Sequence, residues 1–286
     1  MTNGSIVFAG GGVAGIAWEI GVIAGIADAD PQLAEHLLAP KVTFIGTSAG
    51  SAVAAQLASG VGLEELYAAQ LSDETVEFDP RVDLTALMEL FTAAASPGAS
   101  PSDTLLAIGR LARDAQTVTE AERMVSIEAR LPSSEWPERR LLITAVDAES
   151  GEFRVFDAEA GVPLAEAVAA SCAVPGVWPP VTIGDRRYMD GGTRSLANAD
   201  LAAGSDWVLV VAPTIEGAPG LGQIPPGELA SLDPAPVFVV YADDASAAAF
   251  GVNPLDPATR PAAAAAGRAI GVVAAPRIRA ALDRTH

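Results

Sequence analysis

Gly46-Thr47-Ser48-Ala49-Gly50 fits the G-x-S-x-G pattern of a nucleophile elbow, with an apolar strand before it and small helix-forming residues after it. The flanking glycines leave space where a β-carbon would clash in a sharp strand-to-helix turn. The serine Oγ can then stand clear at a helix N-terminus, where N–H groups and the dipole favour developing negative charge. The chemistry on offer is attack by Ser48 on a substrate carbonyl; the competing reading is a tight packing turn.

Such a serine needs a base, and the chain has only two histidines. His36 precedes the elbow in a helical segment and His286 is the last residue, so both are expected to be solvated surface groups rather than triad members. A carboxylate remains. Tyr188-Met189-Asp190-Gly191-Gly192 places Asp190 at the end of a short β-segment, in a glycine turn whose N–H groups can hold its side chain. Asp-Gly alone is a common turn, but beside an elbow without histidine Asp190 is the best base, with Gly191 and Gly192 as its support. A carboxylate of reference pKa ~4 is a weak base, so positioning must supply much of the rate and esters are expected before amides.

The third element is Gly10-Gly11-Gly12-Val13-Ala14-Gly15. Gly10, Gly12 and Gly15 fit the dinucleotide fingerprint G-x-G-x-x-G, but the acid that should hold a ribose belongs at the end of the second strand, which here reads Gly46-Thr47-Ser48. The dinucleotide is therefore discounted. An oxyanion hole built from Gly10, Gly11 and Gly12, with the Gly11 and Gly12 N–H groups aimed at the carbonyl attacked by Ser48, explains both glycine motifs together. The plainer alternative is close helix–strand packing.

The elements that must position these residues alternate. Ser5 to Ala9 reads as a strand, Gly15 to about Ala27 as a helix, Val42 to Ile45 as a second strand and Ser51 to Leu57 as a second helix. Further strands are expected at 141–146, 153–156, 181–183, 207–211 and 237–241, and a helical tail over 257–283. Continuous apolar strands interleaved with helices predict an α/β fold, a mostly parallel sheet covered by helices on both faces. The acidic stretch from Leu63 to Glu138, interrupted at Asp79-Pro80, Ser96-Pro97-Gly98 and Ser100-Pro101, reads as three or four helices inserted as a cap within one domain spanning 1–286. It is either structural cover or a mobile lid on an apolar pocket. Its Leu84, Leu87, Met88, Leu90 and Phe91 suit an acyl chain or, more plainly, core packing. Trp178 is either a pocket wall or a buried anchor, and Cys172 reads as a small core residue.

Composition narrows the partners. With 286 residues, 50% of them hydrophobic, the chain has length for a sizeable core. Seventeen basic residues against 36 acidic ones give a net charge of −19, without the positive footprint that nucleic acid or an anionic bilayer requires. One cysteine excludes an internal disulfide, and with two histidines it cannot assemble the usual zinc ligand set, so no metal is expected. The apolar run from Ala9 to Ala27 raises the membrane question, but Glu19 interrupts it and no basic n-region precedes it, so a cytoplasmic protein is expected.

Glycine loop, elbow and Asp-Gly-Gly segment, in that order, together with the run Ala170-Ser171-Cys172-Ala173-Val174-Pro175-Gly176-Val177-Trp178-Pro179-Pro180, make the chain resemble the patatin-like phospholipase family over most of its length apart from the cap. The resemblance implies a three-layer α/β sandwich, a Ser48–Asp190 dyad, no metal or organic cofactor, and lipid acyl hydrolysis. Transient contact with a neutral membrane or micelle surface through an apolar edge of the cap is left open. The family's loop usually carries Arg or Lys two residues after its third glycine. That position is Ala14 here, which shifts the expectation toward neutral esters. Acyl transfer through the same acyl-enzyme, and lipid binding without turnover, are the alternative readings.

Overall fold

The computed structural model describes residues 3–72, 74–75, 77, 80, 84–94, 98–217 and 223–283. Asp79, Ser96, Pro97, His286 and the side chain of Leu84 lie outside them.

The chain opens with β1 (Gly4–Phe8), α1 (Gly12–Ala29), α2 (Pro31–Leu37), β2 (Thr43–Gly46) and α3 (Ala49–Ala58). Four helices follow, α4 (Leu63–Leu71), α5 (Leu84–Ala94), α6 (Pro101–Asp114) and α7 (Glu120–Arg130). The next part holds β3 (Leu141–Asp147), β4 (Phe153–Phe156), α8 (Leu164–Ser171), β5 (Val181–Ile183) and β6 (Arg186–Asp190). The last part holds β7 (Trp207–Ile215), α9 (Pro226–Ala230), β8 (Val237–Ala242), α10 (Asp244–Phe250) and α11 (Arg260–Leu282). Two inserted helices start where their sequence caps them: Ser100 with Asp103, and Thr119 with Glu122, form reciprocal capping boxes on α6 and α7. Helices α8, α9 and α10 were not expected from the sequence; each is eight residues or shorter, too short to display a helical period.

The strands form one sheet in the order β5-β6-β3-β2-β1-β7-β8, with β4 also on β3. Strands β3, β2, β1, β7 and β8 are parallel, while β4 and β6 run antiparallel to β3 and β5 antiparallel to β6. Strand order reverses at β1, which has β2 on one side and β7 on the other. The loop after β1 therefore opens at a switch point on the carboxyl edge, the place where α/β sheets hold ligands.

Register then sets the height of the chemistry. Phe8 is level with Gly46, and Gly46 with Ile143, so the glycine loop and the elbow leave the sheet together. Strand β3 outlasts β2: its Ala145 to Asp147 pair instead with β6, and Asp190 lies opposite Ala145. Asp190 thus stands two residues above the Gly46 level, as Ser48 does.

One face of the sheet carries the larger core, in which Phe8, Phe44, Ile143 and Leu209 meet Trp18, Ile23, Val53 and Ala167 from the helices. The other face has a thinner cover, the 3-10 turn Ala199–Ala202 and α9, over Val7, Ile45, Val208 and Val210. Helices α1 and α11 touch backbone to backbone: a β-carbon on Gly21 would meet Ala264 O at 2.2 Å, and one on Gly271 would meet Val22 O at 2.1 Å. By length and composition α1 is the one helix among the described residues that could cross a membrane. Its run Val13 to Ile26 is buried throughout, Glu19 included, and burial pushes that carboxyl well above its usual pKa. In the inserted helices Leu87 and Phe91 are buried against Ile108, Val177 and Trp178, while Met88 and Leu90 are exposed. Packing is thus what Leu87 and Phe91 do. Trp178 is the buried anchor, with the Arg123 guanidinium 3.8 Å above its ring.

Candidate active site

Ser48 sits between β2 and α3 with φ 53° and ψ −122°, a backbone conformation that non-glycine residues rarely adopt and that marks a sharp strand-to-helix turn. The turn is forced by close packing. A β-carbon on Gly46 would lie 2.4 Å from the Cα of Ser51, and one on Gly50 would lie 2.1 Å from Phe8 O, so neither position admits a side chain. Ala49 follows as the first residue of α3, and its methyl packs toward Gly15 of α1.

Ser48 and Asp190 are brought together. The Ser48 hydroxyl is near enough to the Asp190 carboxyl to pull its pKa down, and the Gly192 N–H donates to Asp190 Oδ1 at 2.7 Å. Both residues are buried, at 8% and 4% exposure. Burial pushes the Asp190 carboxyl up to about 7, against the opposing pull of the hydrogen bonds from Ser48 and Gly192. This corrects the weak base expected from a reference carboxylate: desolvation gives Asp190 the basicity of a histidine. Its glycines are required sterically, since a β-carbon on Gly191 would lie 2.3 Å from Thr144 Oγ1 and one on Gly192 2.9 Å from Asp190 Oδ1.

The glycine loop lies against the serine, and a β-carbon on Gly10 would stand 3.4 Å from Ser48 Cβ. Its three N–H groups are not equivalent. Gly10 N–H donates to Leu196 O at 2.9 Å, which removes it from the expected oxyanion hole and leaves it the role of keeping space beside the serine. The N–H groups of Gly11 and Gly12 have no partner among the described residues, as expected at the cap and first position of α1. Ala14, the loop position at which the resemblance leads one to expect a cation, is fully buried.

The sequence assigned no role at the site to several residues that hold this arrangement. The end of α8 touches both reacting groups: Ser171 Oγ accepts the Ser48 N–H at 2.9 Å, Cys172 Sγ donates to Ser48 O at 3.2 Å, and Ala173 O accepts the Asp190 N–H at 3.0 Å. Cys172 is thus a small core residue, as expected, that also supports the elbow. Behind the pair, Asn198 Nδ2 donates to Thr47 Oγ1, Gly191 O and Ser195 O, and Thr47 Oγ1 lies 2.9 Å from Thr144 Oγ1. This buried network ties the elbow to the Asp190 turn. His36 packs beside Trp207 at the opposite, amino edge of the sheet. Among the described residues no cluster of three or more His, Cys, Asp or Glu side chains is placed to hold a metal.

A serine on a strained strand–helix turn thus stands beside a buried carboxylate at the carboxyl edge of a helix-flanked α/β sheet. The family model for patatin-like phospholipases matches residues 6–203. The chain belongs to that family. A search of curated proteins finds no match. Among solved structures it is similar to ExoU, a type III effector of Pseudomonas aeruginosa (17% identity, TM-score 0.43, 97% of this chain and 53% of that one). It is also similar to VipD from Legionella pneumophila (14%, 0.41, 76% and 51%) and to human GIVD cytosolic phospholipase A2 (13%, 0.41, 99% and 59%). The chain spans between half and three-fifths of the length of these structures.

Proposed function

We propose that this protein hydrolyses carboxylic esters of lipids through a Ser48–Asp190 dyad. The observation that carries the reading is the hydroxyl of Ser48, on a strained elbow, beside a buried carboxyl whose pKa burial raises to about 7. Asp190 takes the Ser48 proton as Oγ bonds to the ester carbonyl carbon, and the N–H groups of Gly11 and Gly12 receive the developing oxyanion. The C–O bond to the leaving alcohol breaks and Asp190 returns the proton to that oxygen, leaving an acyl-enzyme. Water, deprotonated by Asp190, then attacks the acyl carbon. The Ser48 Oγ–acyl bond breaks as Asp190 returns that proton to Ser48 Oγ, and the carboxylic acid leaves and ionises in solvent. Thr47, Gly46, Ala49 and Gly50 shape the elbow, and Gly191 and Gly192 hold the base.

Intact-mass measurement after fluorophosphonate treatment tests this reading. The wild type is expected to gain a single adduct mapping to Ser48, and the Ser48→Ala protein none. An unlabelled wild type, or ester turnover that survives Ser48→Ala, overturns the reading.

A further inference from the structure

The sheet is finished differently at its two ends. At one end β5 has three residues, and the Glu120 carboxylate of α7 accepts both the N–H and the hydroxyl of its Thr182, while β4 has four residues and carries the exposed Arg154. Short strands, a covering carboxylate and a cation are devices that keep an edge from pairing with another chain. At the other end β8 reads Val237-Phe238-Val239-Val240-Tyr241-Ala242, without a charge, a proline or a glycine, and among the described residues no strand lies beyond it. Its pairing with β7 fixes which backbone groups are free. Val208 N–H donates to Pro236 O, so in this parallel ladder Phe238 and Val240 turn their backbone groups toward β7. The N–H and C=O groups of Val237, Val239 and Tyr241 point outward.

A groove of about 520 Å³ runs along this edge, where Ile270, Val273 and Ala274 of α11 continue the apolar surface and Val273 is 72% exposed. Two exposed charges line the groove, one at each end. Glu216 follows Ile215, which pairs with Ala242, and after burial its carboxylate is the second cause that pushes the Tyr241 phenol up, so it stands at the carboxyl end of β8. Arg277 lies near the end of α11, just before the Arg279 that bonds Asp30 at the end of α1, so it stands at the amino end. Neither forms an ion pair among the described residues.

This edge is complementary to a second copy of itself. With a two-fold axis normal to the sheet at Val239, two β8 strands pair antiparallel, so that Val239 meets Val239, Val237 meets Tyr241 and Phe238 meets Val240. Each ring is then set against a β-branched residue and no charges face each other, the favourable kind of cross-strand pairing. The outward groups close about six N–H···O bonds, and two eight-stranded sheets become one. The rotation exchanges the ends of the strand, which carries Arg277 of each copy toward Glu216 of the other. A net charge of −19 repels a second copy at long range, and this groove is where an exposed cation and anion reverse that repulsion locally. Such a two-fold contact closes on itself and leaves neither β8 edge free.

We propose that the β8 edge is a homodimer interface, at which two copies of this chain join their sheets antiparallel about Val239 and exchange Glu216–Arg277 ion pairs. Sedimentation velocity of the full-length protein tests it without reference to turnover. At about 100 μM the wild type is expected to sediment with twice the 29.0 kDa of one chain. Val239→Lys sets two ammonium groups against each other at the axis and is expected to give the single-chain mass. Glu216→Arg and Arg277→Glu each replace both ion pairs by like charges and are expected to weaken association by about tenfold. The two exchanges combined are expected to restore it. Both positions are exposed, so these exchanges decide the matter if Val239→Lys loses its fold by circular dichroism. A wild type of single-chain mass, a mass that climbs past the dimer with concentration, or a dimer unaffected by a folded Val239→Lys overturns the interface. Single exchanges without effect, or a double exchange that fails to recover what they lose, overturn the antiparallel pairing about Val239.

Discussion

Asp190→Asn should inactivate the protein and stabilise it, by an amount that depends on pH. In the unfolded chain the carboxyl has its ordinary pKa of 3.8, and in the fold about 7. Ionising it in place therefore costs about 4 kcal/mol. Because the folded pKa is the raised one, the wild type bears no penalty below pH 3.8, where both states are protonated. Between that pH and about 7 the unfolded chain loses the proton while the native state keeps it, and stability falls by about 1.4 kcal/mol per pH unit. Above 7 the penalty is complete and constant. An amide of the same shape does not titrate. Its Oδ1 can accept the Gly192 N–H and its Nδ2 can donate to Ser48 Oγ, so the contacts survive. The difference between the two proteins should be under about 1 kcal/mol at pH 4 and rise to about 4 kcal/mol at pH 8, or about 6 °C in melting temperature for a chain of this length. Urea unfolding of both proteins across that range measures it, and the other titrating groups cancel in the subtraction. A difference that does not change with pH, or a wild type more stable than Asp190→Asn at pH 8, refutes the claim that burial sets this pKa.

The same value governs the rate: kcat/KM on a soluble ester should fall about tenfold per pH unit below about 7 and level off above it, because only the ionised carboxylate accepts the Ser48 proton. An acid limb near pH 4 would exclude Asp190 as the base. Ser48→Gly should be more stable than Ser48→Ala by about 1–2 kcal/mol, since glycine relieves the positive φ of 53° that alanine must keep, and paired denaturant curves give the comparison. Gly50→Ala puts a methyl 2.1 Å from Phe8 O and should cost about 3 kcal/mol or more, seen as a lowered urea midpoint or as loss of soluble protein. Asn198→Ala strips Gly191 O and Ser195 O of a buried donor and should cost about 2–3 kcal/mol, with kcat falling more than KM rises because the elbow and the base turn lose their tie.

Legibility in the sequence followed the locality of the physics. The elbow was readable because Gly46 and Gly50 answer contacts made within one strand–turn–helix unit, and β1, β2, β3 and β7 because each is a short apolar run bounded by turn residues. Asp190 was reached by elimination, from the shortage of histidines, and the register of β6 on β3 supplies the geometric reason that elimination lacked. What a carboxylate can do as a base was not readable, because its pKa is fixed by desolvation from elements far apart in the chain. The network of Asn198, Thr47 and Thr144 was equally silent: an Asn in a loop and a Thr in a strand have no spacing that announces a shared hydrogen bond. The Gly10 N–H looked interchangeable with its two neighbours until Leu196 O, from a loop 186 residues later, was found to accept it.

That long-range dependence explains why Ser171-Cys172-Ala173 matters more than its composition suggests. The elbow and the base arrive on strands of opposite direction, β2 and β6, and a shift of either along β3 would separate Ser48 from Asp190. The end of α8 touches both, accepting the Ser48 N–H through Ser171 and the Asp190 N–H through Ala173, so a displacement of one strand end strains a contact to the other. The bond from Cys172 to Ser48 O and the contact from Arg130 to the same sulfur extend that linkage to α7. Ser171→Ala should accordingly lower kcat by freeing the Ser48 amide, and should do so for every ester tested.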